Sequence, residues 1–133
     1  MEQKITFVIP GPAKAKDRPR MNIRTGRIYT PSATHKYEKL VKESYGDNPC
    51  VEDQFINIKI LFKFEVPKSY SKKQRDEALA GNLRPTKGDI DNYIKSVLDG
   101  LNKVAFLDDK YIYNITAEKI FAEESETIVE IKN

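Results

Sequence analysis

A chain of 133 residues, 39% apolar and 32% charged, has the material for one hydrophobic core, which excludes an intrinsically disordered chain. No apolar run approaches bilayer length, the single Cys50 excludes an internal disulfide or a multi-cysteine zinc site, and the single His35 excludes a histidine-based metal cluster. The net charge of +3 is unevenly spread: residues 1–36 hold eight Lys/Arg against Glu2 and Asp17, whereas residues 104–133 hold three against seven acids, a basic front that hints at a polyanionic partner.

Residues 3–9 alternate as a first strand, with Ile5, Phe7 and Ile9 on one face, and Pro10-Gly11-Pro12 stops it. This start reads as a strand and not a signal peptide, so a reducing cytoplasm is the expected compartment. A basic loop follows from Lys14 to Arg20, then a short hairpin over 21–29 turning at Thr25-Gly26. Tyr37, Leu40, Val41 and Tyr45 recur at helical spacing and predict a helix over 33–45. The clearest strand is 55–65, in which Ile56, Ile58, Ile60, Phe62 and Phe64 form the core-facing row. A charged helix is expected over 71–80 with Gly81 at its end, and an apolar-striped one over 90–103 through Ile90, Ile94, Val97, Leu98 and Leu101. Strands over 111–121 and 126–132, joined by a tight link near 123–125, are expected to close the chain as a hairpin. The whole predicts one α+β domain, 1–133, with a mixed sheet and flanking helices.

The chemistry concentrates at the start of the 90–103 helix. Asp89 and Asp91 sit where free N–H groups favour negative charge. At 100° per residue, Asp91, Lys95 and Asp99 share one helix edge beside the apolar stripe, and Asp108-Asp109 follows after a short connection. Gathered carboxylates repel one another, and a hard divalent ion such as magnesium relieves that repulsion. This is the chemistry of metal-assisted phosphodiester hydrolysis, in which Lys95 would share charge building up in the transition state. The plainer account is a helix cap with surface ion pairs, and an isolated Asp-x-Asp does not outweigh it.

The fuller combination does. The stretch GDIDNYIKSVLDGLNKVAFLDDKYI, residues 88–112, resembles the signature of the RusA family of Holliday-junction resolvases: Asp89, Asp91 and Asn92, then Lys95, Asp99, Leu101 and Asn102, and a closing Asp108-Asp109. Residues 9–41 are also similar to the N-terminal portion of family members from Gram-positive bacteria and their prophages. The resemblance implies a RusA-like fold and an endodeoxyribonuclease that nicks four-way junctions in DNA recombination and repair. It implies a homodimer using Mg2+, with Mn2+ as a substitute. Asp89, Asp91 and Asp109 match the metal-binding acids and Lys95 the catalytic lysine; Asp108, Asp99 and Asn92 match supporting positions. Many relatives carry Pro where this chain has Gly88, which is expected to loosen the approach to the acids.

Lys16, Arg18, Arg20, Arg24 and Arg27 are candidate DNA contacts, with Lys14 beside them and Tyr29 placed to stack. His35 is expected on an exposed helix face, Cys50 as a loop or core filler, and Tyr93 beside the catalytic helix. Two other functions compete. A non-catalytic branched-DNA-binding module of phage origin would bind without turnover, and an enzyme acting on nucleotides or sugars would rest on Asp-x-Asp alone, with no phosphate-cradling glycine loop to support it.

Overall fold

The computed structural model describes residues 3–17, 20–29 and 31–133, with only the backbone described for Arg20. Among these residues the elements are, in order, β1 (Lys4–Pro10), β2 (Arg20–Met21), β3 (Ile28–Tyr29), α1 (Ser32–Tyr45), β4 (Ile56–Glu65), α2 (Lys72–Leu79), α3 (Ile90–Leu101), a 3-10 turn (Asp109–Tyr111), β5 (Ile112–Ala122) and β6 (Glu126–Lys132). The α+β expectation holds: three helices accompany a mixed four-stranded sheet ordered β1-β6-β4-β5, and β2 and β3 form a separate ribbon.

The sheet's two faces follow from the alternation. Ile5, Phe7 and Ile9 of β1 point inward, as do Ile56, Ile58, Ile60 and Phe62 of β4 and Val129 and Ile131 of β6. Each such side chain contributes roughly 1.5–3 kcal/mol by leaving water. The opposite face carries Thr6, Lys59, Leu61, Ile128 and Glu130 and stays open. Helices α1 and α3 cover the inner face. Phe7 of β1 meets Tyr45 of α1 edge-on at 5.2 Å, and Tyr93 of α3 packs on Phe62 and Phe64 of β4 at 5.7 and 5.4 Å.

The expected terminal hairpin is not formed. β5 pairs parallel with one edge of β4, while β6 pairs antiparallel with its other edge, so β4 lies between the two strands that follow each other in sequence. The link 123–125 therefore crosses over the end of β4, where Ser125 Oγ accepts from Glu65 N at 2.9 Å and Lys63 pairs with Glu126 at 3.1 Å. Two strand spacings are about 9.6 Å, within reach of four extended Cα steps. Placing the most apolar strand centrally satisfies both of its hydrogen-bonding edges, which a local hairpin would leave to solvent.

Packing of α1 on α3 depends on Gly100. A Cβ there would lie 2.7 Å from Val41 Cβ and 3.2 Å from Glu38 O, so only hydrogen permits the approach. Gly100→Ala should therefore destabilise the fold by about 1–3 kcal/mol despite the higher helix propensity of alanine. A urea midpoint unchanged or raised by this substitution would contradict the packing account.

Candidate active site

The sequence starts α3 at Ile90 by changing backbone direction sharply at Gly88, whose φ of 74° is open to glycine at little cost. Asp89 is the extended N-cap, yet its side chain makes no capping bond. Asp91 stands exposed in the first turn, and Lys95 is exposed one turn on. Among the described residues, Asp89, Asp91 and Lys95 enter no side-chain ion pair. Their charged heads are thus available to a ligand.

Asp99, the last acid on this edge, is already engaged. Lys16 Nζ lies 2.9 Å from Asp99 Oδ2 and 2.8 Å from Glu38 Oε1, and Lys16 N donates to Asn92 O at 3.0 Å. Burial alone would lower the Lys16 pKa, but its bonds to Glu38 and Asp99 outweigh that and hold it above the usual lysine value. Lys16, a candidate DNA contact by its place in the basic loop, fastens that loop to α1 and α3 through these bonds. Asn92 joins it through its main-chain carbonyl, which also accepts from Ser96 Oγ at 3.3 Å.

Asp108 caps the 3-10 turn by accepting from Lys110 N at 2.9 Å, and that bond, foremost, holds its carboxyl below the usual range. Asp109 is pushed the other way, first by partial burial, then by its hydrogen bond with Asp108 and the charges of Asp108 and Asp99. A carboxyl raised in the folded state adds stability that is complete below its unfolded pKa and lost as pH rises through the folded value. Asp109→Asn should therefore raise the unfolding free energy slightly at pH 7, by less than about 1 kcal/mol given the solvent around it, and the gain should vanish near pH 3. A gain of equal size at both pH values would contradict this origin.

The three acids of the expected metal set do not close into a ready-made cage: among the described residues, no group of three His, Cys, Asp or Glu side chains is arranged to hold an ion. Asp99 is neutralised by Lys16, and Asp108 and Asp109 are tied to each other. The donor chemistry nevertheless fits a hard cation such as Mg2+, which takes one or two protein carboxylates and completes its shell with water and phosphate oxygens. Asp89 and Asp91 are uncommitted oxygen donors of that kind.

Gly88 does not loosen the approach, as its sequence position implied. A Cβ at this residue would sit 2.5 Å from Tyr93 Oη, so the turn is packed tightly against that ring. Tyr93 is itself core, 4% exposed, which the spacing of aliphatic residues did not reveal. A second residue escaped sequence reading. Lys119, on the inner face of β5, donates from Nζ to Gly88 O at 2.9 Å, and no motif marks it.

Of the other candidate DNA contacts, Arg18 and the side chain of Arg20 lie outside the described residues. Arg24 and Arg27 belong to an exposed ribbon turning through Gly26, as expected, and stiffened by Asn22 N donating to Arg27 O at 2.7 Å and Arg24 N to Asn22 Oδ1 at 2.9 Å. Tyr29 is 48% exposed on the same ribbon, His35 is exposed on α1, and Cys50 is half-buried in the loop before β4. Lys14 pairs with Asp17 at 2.9 Å.

Comparison with known proteins shows the class of protein to which this helix and its acids belong. Residues 10–132 match the family model for endodeoxyribonuclease RusA. The chain belongs to the RusA endodeoxyribonuclease family. It is also 33% identical, over 96% of its own length and 95% of the other's, to the uncharacterized protein YqaN of Bacillus subtilis strain 168. Among the described residues, no helix is long and apolar enough to cross a membrane.

Proposed function

We propose that this protein is a Mg2+-dependent endodeoxyribonuclease that resolves four-way DNA junctions by paired nicking, as a cytoplasmic homodimer serving recombination and repair. The observation that carries the reading is the pair of exposed carboxylates, Asp89 at the N-cap and Asp91 in the first turn, with the ammonium of Lys95 one turn beyond Asp91, none of them ion-paired among the described residues, in a chain of this family. Asp89 and Asp91 would hold the ion, with Asp109 as third ligand and Asp108, Asp99 and Asn92 in support. The bound ion would supply charge neutralisation for phosphate oxygens and activation of the attacking water. Lys95 would donate to a phosphate oxygen as negative charge accumulates, where a preset ammonium is worth most.

The basic ribbon with Arg24 and Arg27, together with Arg18 and Arg20, would hold the phosphate backbone, whose shape distinguishes a junction from linear duplex. Two-fold symmetry in a dimer would match the pseudo-two-fold junction and place two sites on opposed strands. The test is cleavage of a synthetic junction, a fork and a linear duplex in Mg2+. Paired nicks confined to branched substrates are expected, and equal cutting of all three would contradict junction selectivity.

The lack of a closed three-acid group among the described residues of one chain favours a second reading, a branched-DNA-binding module without turnover. Tight, salt-sensitive junction binding with no nicking in Mg2+ or Mn2+ would establish that alternative instead.

A further inference from the structure

Two successive carbonyls immediately ahead of Asp89 are held by side chains from two different elements. Lys87 O accepts from Tyr93 Oη at 3.1 Å, and Gly88 O accepts from Lys119 Nζ at 2.9 Å. Gly88 O belongs to the same planar peptide unit as Asp89 N, so fixing that oxygen fixes the plane from which the Asp89 side chain departs. One anchor, Tyr93, is itself fixed in the core, and the other projects from the sheet. Tyr93 is buried against Phe62 and Phe64, and Lys119 lies on β5 in register with Phe62, its ammonium 6.0 Å from the centre of the Tyr93 ring. Gly88 completes the fit, since a side chain there would strike the Tyr93 hydroxyl.

The use of a lysine here is informative. Among the described residues Lys119 makes no carboxylate pair and gives its charge-assisted bond to a main-chain carbonyl, a partner that does not cancel its charge. Holding a turn shut requires no charge; holding it beside an anionic group is favoured by one. We propose that Lys119 and Tyr93 are positioning residues that clamp the 87–88 turn and so orient the Asp89 carboxylate toward its divalent ion. The proposal rests on the reading of Asp89 as an ion ligand.

The test compares Mn2+ binding, measured by calorimetry on the DNA-free protein, with the Mg2+ concentration needed for junction nicking. Lys119→Met keeps a side chain of similar length and removes the bond to Gly88 O. It should weaken Mn2+ binding roughly 10–100-fold and raise the half-maximal Mg2+ concentration to match, with the nicking rate recovering at saturating Mg2+. Lys119→Arg, which can still donate to Gly88 O, should restore most of the affinity. Should Lys119→Met fail to fold, Tyr93→Phe removes the hydroxyl alone, and a several-fold loss of Mn2+ affinity is expected of it. If Asp89→Asn abolishes Mn2+ binding while Lys119→Met and Tyr93→Phe bind as the native protein does, the clamp is overturned and the ion site stands. If Asp89→Asn binds Mn2+ as the native protein does, the ion-ligand reading fails and the clamp proposal with it.

Discussion

Asp91→Asn should reduce junction nicking in Mg2+ by about 10²–10³-fold or more while leaving the protein folded. The two effects separate because the residue's two roles differ in size. Asp91 stands exposed in the first turn of α3, where its charge favours the helix by about 0.3–1 kcal/mol. Asparagine has nearly the same shape, so the packing of Tyr93, Val97 and Leu101 beneath is undisturbed. The catalytic loss corresponds to about 2.7–4 kcal/mol of transition-state stabilisation, several times the structural cost. Lys95→Met should act in the same direction, since Lys95 has no structural ion pair among the described residues to lose. Nicking by Asp91→Asn at the native rate in saturating Mg2+ would remove this edge of α3 from the chemistry.

The second large effect concerns stability. An ion that binds only the folded chain stabilises it by about 2.7 kcal/mol when present at a hundred times its dissociation constant. For a domain of this size that raises the melting temperature by on the order of 10 °C. Asp91→Asn should show a much smaller rise, because one of two uncommitted donors has lost its charge. The comparison is made at constant ionic strength, because screening of surface charges by added salt would otherwise contribute. Equal rises for the native and substituted proteins would locate the ion elsewhere.

Much of this architecture was legible because burial imposes periodicity. The inward rows of β1 and β4 and the stripe of α3 follow directly from alternation and from the 3.6-residue turn, and Gly26 marked the ribbon turn. The order of strands was not legible. A short link between two strands favours pairing between them, yet β4 takes the place between β5 and β6 because its apolar face gains more by being central, and no local signal records that competition. Ser96 and Gly100 were similarly silent. Small residues one turn apart mark a close helix crossing only once the partner, Val41 on α1, is known.

The site shows the same division. Asp91, Lys95 and Asp99 were readable as one helix edge from their spacing, and Asp89 as the position that opens the helix. Lys119 was not, because its role depends on β5 lying parallel beside β4 and bringing an inward lysine over Tyr93 to a carbonyl 31 residues away in sequence. The fate of Lys16 was hidden for the same reason: a cation in a basic loop looks free until α1 and α3 present Glu38 and Asp99 to it. The arrangement of the acids also departs from simple expectation. Without a counter-ion, like charges gain nothing by converging: Lys16 neutralises Asp99, and the charges of Asp108 and Asp99 help to raise the Asp109 carboxyl.

The decisive observation is anomalous scattering from crystals of the protein grown with Mn2+ and a junction carrying an uncleavable phosphate. A manganese peak is expected at about 2 Å from carboxylate oxygens of Asp89 and Asp91, with Asp109 drawn in to complete the set. Manganese bound only away from α3, with the junction in place, would contradict the assignment of these acids to the ion.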